Sequence, residues 1–267
     1  MPFGFRVSRH SIGHDGMMRR MANLSNRRSV TSFDIANESM NIVVRGPFAP
    51  GVFSPDWFRR NELVGESQLS DVQVFGISDE EAKLRLGWAD FYASRDTLQF
   101  GTEQVEEFPR LRDLVVGTLE ALPLHPVSVI GVNSATHTVL GRSEHLHRIG
   151  DVLAPKEPWN DVLSNPGLRS AVLWGSRDDG QRGRVAVTVE PSTIFEKAVY
   201  VSVNDHFDLA VETGPRQDRN TAFVFAGELI EPSIERRELL FDLLRDQWDA
   251  MVQRASAIHR SVLTIVE

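Results

Sequence analysis

The stretch SAVLWGSRDDGQRGRVAVTVE, residues 170–190, carries the clearest signal of the fold. Two apolar runs, Ser170 to Gly175 and Arg184 to Glu190, flank the turn-forming residues Asp178-Asp179-Gly180. An Asp-Gly pair between two runs of strand-forming residues is a strong hairpin signal. Alternation in the second run turns its valines toward one face. We therefore predict an antiparallel hairpin here, with one face of its second strand toward the core.

The same alternation recurs along much of the chain. Leu84 to Trp88 and Leu98 to Phe100 alternate with a period of two on either side of Ser94-Arg95-Asp96, whose residue types favour a turn. This pattern predicts a second hairpin. Further strands are predicted at Met40 to Gly46, Val72 to Ile77, Val127 to Val132 and Val199 to Val203.

Helical periodicity marks the segments between these strands. The clearest case begins at Pro109, where apolar residues recur at steps of three and four from Leu111 to Leu122. A shorter helix is predicted after Ser54-Pro55, and another begins at Ser143. The strands between and around these helices come mainly as hairpins rather than in regular strand–helix alternation.

The last helix, which opens at Pro232-Ser233, allows two interpretations. Its apolar residues follow a seven-residue repeat: Phe241, Leu244, Trp248, Met251, Ala255, Ile258, Val262 and Ile265. Such a repeat is typical of a coiled-coil seam, which would make residues 234–265 a surface for self-association. Additional apolar residues at Leu240, Leu243 and Val252 widen the stripe, and this favours a helix laid across its own sheet.

The order of the elements predicts an α+β fold. We expect mostly antiparallel sheet, in one or more sheets, with helices packed on one face and a long C-terminal helix. Residues 40–267 are predicted to form a single α+β domain, with two halves split near residue 142 as the alternative. No sequence repeat between the halves indicates a duplication.

Residues 1–39 differ in composition from the rest. Six arginines against three acidic residues give this segment a local charge of +3, and no apolar periodicity is visible. It is interpreted as a disordered basic leader such as a transit peptide, as a basic arm for nucleic acid or an acidic partner, or as the product of a start codon assigned too far upstream. All three interpretations place the beginning of the folded domain at Met40.

Composition excludes several classes of chemistry. The chain of 267 residues has no cysteine, which excludes disulfides, thiolate nucleophiles and iron–sulfur clusters. A net charge of −8 argues against binding to nucleic acid. No apolar run approaches the roughly 20 residues of a membrane span. We expect a soluble cytoplasmic protein without a cofactor.

The sequence carries no phosphate-binding, nucleophile-elbow or zinc-protease motif. His145 and His147 lie on a predicted helix about 200° apart, so no metal site is predicted. If the protein is an enzyme, its candidate catalytic residues are Asp205 and His206 at a predicted strand end, with Asn133 as a partner from the end of another strand. Because neighbouring strand residues point to opposite faces, Asp205 and His206 are not expected to form a dyad with each other.

The run from Leu84 to Asn133 resembles a sporadically distributed bacterial family of uncharacterised proteins of similar length. The resemblance rests on the hairpin with Arg95-Asp96, on Phe108-Pro109-Arg110, on the helix that follows, and on Gly131-Val132-Asn133. It covers about a fifth of the chain and implies no catalytic residues.

Three functional hypotheses follow. We expect a non-enzymatic cytoplasmic interaction or accessory protein that binds a protein partner or self-associates through residues 234–265. The first alternative is a small-ligand-binding protein with a cavity between sheet and helix, lined by Trp88, Trp174 and Trp248. The second alternative is a hydrolase centred on Asp205 and His206.

Overall fold

The computed structural model describes residues 33–122, 124–209 and 233–267. Within these residues one antiparallel sheet is ordered β2-β3-β4-β5-β1-β6-β9-β8-β7. The strands are β1 Asp34–Arg45, β2 Val72–Ile77, β3 Glu81–Leu86, β4 Ala89–Ser94, β5 Thr97–Thr102, β6 Val129–Val139, β7 Ala171–Ser176, β8 Gly183–Pro191 and β9 Ala198–Asp208. The predicted α+β class with antiparallel sheet is confirmed.

The α-helices of the described residues are α1 Pro55–Arg60, α2 Glu66–Leu69, α3 Phe108–Glu120, α4 Ser143–Leu153, α5 Glu235–Asp246 and α6 Trp248–Leu263. The segment predicted as one long C-terminal helix therefore contains two helices. They are separated by Gln247, whose backbone has a φ of −102° and a ψ of 0°. The prediction of a single long helix is not confirmed. No helix of the described ranges is long and apolar enough to cross a membrane.

The centre of the sheet is the pairing of β1 with β6, which runs from Asp34 opposite Val139 to Arg45 opposite Val129. β1 begins at Asp34, so the predicted domain start at Met40 is six residues too late. The remainder of the predicted leader, residues 1–32, lies outside the described residues. The sheet is continuous across both predicted halves, and residue 142 falls in the connection between β6 and α4.

The main core lies against one face of the central strands. Met40, Ile42 and Val44 of β1 are at most 2% exposed, and the strand register sets them beside the buried residues of β5 and β6. Helix α3 contacts β1 and β5, and its Leu111 and Val115 are fully buried. The periodic apolar positions predicted for α3 are thus its core positions.

The heptad-spaced stripe of the C-terminal segment is also part of the core. Leu244 is fully buried, and Phe241, Trp248 and Met251 are 3–4% exposed. Because these side chains are already packed inside the protomer, a coiled-coil seam would have to expose them. The stripe of residues 234–265 is therefore not available as a coiled-coil seam. Its seven-residue repeat, which was the reason for predicting self-association there, is explained by packing inside the protomer.

A buried histidine connects α6 to the sheet. His259 is 6% exposed, and its Nε2 lies 2.8 Å from the hydroxyl oxygen of Thr138 in β6. Burial lowers the pKa of His259 to about 4, because a protonated imidazole at this position would carry its charge without hydration by water. The histidine is thus neutral in the folded protein at neutral pH.

The free energy of unfolding should fall as the pH is lowered from about 6.5 to about 4. In the unfolded chain this imidazole has its ordinary pKa of about 6.5, so the unfolded state binds more protons across that range. Over this pH range, protonation linked to His259 should lower the free energy of unfolding by about 3 kcal/mol. Urea unfolding at several pH values should show a flatter dependence for His259→Gln, whose amide keeps a hydrogen-bonding group beside Thr138. Equal pH dependence in both proteins would contradict this assignment.

Candidate functional site

Asp205 lies in a buried ion cluster, which we define as Arg177, Asp179, Asp205 and Arg254. Its Oδ1 accepts hydrogen bonds from Nη1 of Arg177 at 2.8 Å and from Nη1 of Arg254 at 2.5 Å. Asp179 accepts from the same two arginines. The side chains of Arg177 and Asp205 are only 1% and 3% exposed.

The ion cluster joins three elements of the fold. Arg177 and Asp179 belong to the turn between β7 and β8, Asp205 to β9 and Arg254 to α6. The guanidinium of Arg177 also stacks 3.7 Å from the ring centre of Phe207. Asp205 faces cations of its own chain, so its position fits a structural anchor rather than the general base proposed from the sequence.

His206 points to the opposite face of β9 from Asp205, as the strand alternation predicts. Its Nε2 lies 3.0 Å from Oδ1 of Asp208, two residues along the same strand. This hydrogen bond lowers the pKa of the Asp208 carboxyl, and the charges of Arg184 and Arg182 add to the effect. The carboxylate beside the imidazole is therefore Asp208.

Asn133 lies within β6 rather than at its end, because the strand continues to Val139. Its Nδ2 donates to the carbonyl oxygen of Asn41 at 3.2 Å, and its Oδ1 accepts from the amide of Asn204. The residue of β6 opposite His206 is Gly131. The three candidate catalytic residues thus belong to three separate arrangements, namely the ion cluster, the His206–Asp208 pair and a ladder of asparagines.

The three tryptophans proposed as cavity-lining residues also lie apart. Trp88 sits in the turn between β3 and β4, under the guanidinium of Arg110 at 4.7 Å. Trp174 is 41% exposed on β7, at the other end of the sheet, and Trp248 is buried in the core. An open depression of about 810 Å³ lies beside Phe33, Leu140 and Val266, and none of the tryptophans lines it. In the described part of the chain, no group of three histidine or acidic side chains could hold a metal ion.

The face of the sheet that carries Met40, Ile42 and Val44 is covered unequally on the two sides of its centre. On β3 and β4, Leu84, Leu86 and Phe91 are at most 1% exposed. β8 occupies the place equivalent to β3 on the other side of the centre, yet its Val185 and Val187 are only half-buried. The outermost strands are both open, with Leu173 of β7 49% exposed and Val74 of β2 52% exposed. Apolar surface on this face therefore extends over two strands at the β7 end and over the outermost strand alone at the β2 end.

The two outer strands of the described sheet also differ as edges. β2 has a register shift between Val74 and Gly76, and a bulge is an ordinary protection of a sheet edge. A cation lies beside an aromatic ring at both edges: the ammonium of Lys83 is 5.7 Å from the ring centre of Phe75, and the guanidinium of Arg184 is 4.7 Å from that of Trp174. β7, which we call the β7 edge, pairs with β8 without a shift and contains neither charge nor proline.

The β7 edge is apolar on both sides. Val172 and Trp174 are 58% and 41% exposed on one face, and Leu173 is exposed on the other. Other exposed apolar side chains precede it in the sequence: Val152, Trp159, Val162 and Leu163. The unbroken apolar run from Ala171 to Trp174 was a signal of this feature, but the sequence did not show that the strand lies at an edge.

No family model and no curated protein matches this chain.

Proposed function

We propose that the protein is a non-enzymatic interaction or accessory protein of the cytoplasm, and that it binds a partner polypeptide along the β7 edge. The observation that carries the proposal is the unbulged, uncharged and apolar β7 strand at the edge of the described sheet. Such a strand offers a row of backbone donors and acceptors to an added strand. Val172, Leu173 and Trp174 would supply side-chain contacts on both faces.

The proposal includes the arrangement of the helices. We propose that the helices share the face to which Met40, Ile42 and Val44 point. Support comes from the contacts of α3 with β1 and β5 and of α6 with β6 and β9, and from the bond between His259 and Thr138. A partner strand at the β7 edge would then extend the sheet and cover Leu173 on the helix-facing side.

The two alternative functions remain predictions with less support. A hydrolase centred on Asp205 and His206 would need the Asp205 carboxylate to leave the two guanidinium groups that it contacts. A ligand cavity lined by tryptophans would need Trp88, Trp174 and Trp248 to converge, and they lie in three separate places. The interaction hypothesis requires no such rearrangement.

Photocrosslinking in the cells that produce the protein tests the proposal. A benzophenone amino acid replaces Leu173 in one variant and Val74, on the bulged β2 edge, in its matched control. Both side chains are about half exposed, so both replacements should be tolerated. We expect protein adducts from position 173 that position 74 does not give. Identical adducts at both positions, or none at position 173, would overturn the proposal.

A further inference from the structure

We infer that the partner polypeptide is a second copy of this chain, and that two β7 edges pair antiparallel about a two-fold axis at Leu173. This inference rests on the proposed function and names its partner. A two-fold contact is the commonest symmetry of soluble oligomers and requires a self-complementary surface. The β7 edge meets that requirement in side-chain size, in charge and in backbone.

Side-chain sizes match in this register. With Leu173 opposite its own copy, Val172 lies opposite Trp174 of the second chain on the other face. Ala171 then lies opposite Gly175, so small residues meet at both ends of the paired segment. Residues directly opposite each other in an antiparallel pair are in side-chain contact. Val172 and Trp174 are both exposed in the single chain. The two-fold axis would create two contacts between Val172 of one chain and Trp174 of the other, and each contact would cover both side chains.

Charges match as well. Arg169 precedes the β7 strand and Asp178 follows it, and both are exposed. In this register Arg169 lies opposite Arg177 of the second chain, whose guanidinium is buried in its own ion cluster, and one residue from Asp178, so the exposed charge nearest to Arg169 would be the Asp178 carboxylate. Two such attractions, related by the axis, favour a second copy over an unrelated strand. The strand itself is uncharged, so the overall charge of −8 is not concentrated at the contact.

The backbone is equally suited to the pairing. β7 has no bulge and no proline, and its partner β8 occupies only one of its sides within the described sheet. The half-exposed Leu173 of each chain would meet the other on the helix-facing side, where the sheet is incompletely covered. Pairing would join the two sheets into one continuous sheet.

The absence of cysteine from the sequence allows a direct test of the register with the purified full-length protein. Directly opposed residues have Cα atoms about 4.5–5.5 Å apart, within the range of about 4.4–6.8 Å that a disulfide accepts. Under mild oxidation Leu173→Cys should therefore form a disulfide-linked dimer rapidly. Val172→Cys and Trp174→Cys should each link poorly alone, because each residue lies about 8 Å from its own copy. A mixture of these two variants should form the mixed dimer.

Val74→Cys, on the bulged edge, is the control and should form no disulfide-linked dimer under the same oxidation. No preference for Leu173→Cys over Val74→Cys would overturn the inference, as would efficient self-linking of Val172→Cys, which indicates another register. Either result could occur while position 173 still gives photoadducts with a different protein. In that case the inference of a second copy is wrong, and the proposed interaction function stands. Thermal melting of each variant identifies any that fails to fold.

Discussion

Asp205→Asn is expected to lower the free energy of unfolding by about 3–5 kcal/mol, because it leaves two guanidinium charges of the ion cluster with Asp179 as their one remaining acidic contact in the cluster. Arg177 is 1% exposed and would keep only Asp179 as an acidic contact. Arg254 would lose its 2.5 Å hydrogen bond to a charged oxygen. The turn between β7 and β8, the strand β9 and the helix α6 would all lose a shared contact. Urea unfolding at neutral pH measures the loss.

Asp90→Asn is the matched control, since it makes the same chemical change in an exposed pair of the same sheet. Asp90 pairs with Arg85 at 2.7 Å, but the two side chains are 59% and 49% exposed. Such pairs contribute about 0–1 kcal/mol, so the control should unfold almost as the natural protein does. A loss for Asp205→Asn no larger than that of the control would show that the ion cluster does not stabilise the fold.

The elements that the sequence predicted well are those encoded by neighbouring residues. The β7–β8 hairpin follows from Asp178-Asp179-Gly180, and Gly180 has the positive φ of 79° that such a turn favours. Helix α3 follows from the spacing of its apolar residues and from a proline in its first turn. In both cases the signal is local, so one chain is enough to detect it.

The extent of the central strands could not be predicted in this way. β6 continues through Asn133 to Val139, although the residues from Asn133 to His137 lack apolar alternation. They are held in the sheet because β1 and β9 pair with them on both sides. Tertiary pairing of this kind overrides strand propensity. The interpretation of Asn133 as a strand end failed for this reason.

The contacts of the candidate site residues also depend on residues that are distant in the sequence. Asp205 was recognisable as a carboxylate near a strand end, but Arg177 and Arg254 come from other elements, 28 and 49 residues away in the chain. Nothing in the local sequence connects these residues. The apolar run of β7 was visible, whereas its place at the edge depends on the order of all nine strands.

The largest effect on association is expected from Leu173→Asp. In the paired form the two carboxylates would lie opposite each other across the axis, where like charges repel and lose contact with water. We expect at least a hundredfold weaker dimer, or about 3 kcal/mol. The stability of the single chain should change little, because Leu173 is already 49% exposed there. Val74→Asp places the same charge on the bulged β2 edge and should leave the dimer intact.

Light scattering of the 267-residue protein over a range of concentrations decides whether two chains pair through their β7 edges. We expect the natural protein and Val74→Asp to approach twice the chain mass of 30.0 kDa, whereas Leu173→Asp should stay at that single-chain mass. A natural protein that remains at 30.0 kDa at the highest concentrations would contradict pairing through the β7 edge. A Leu173→Asp variant that still doubles its mass would contradict it equally.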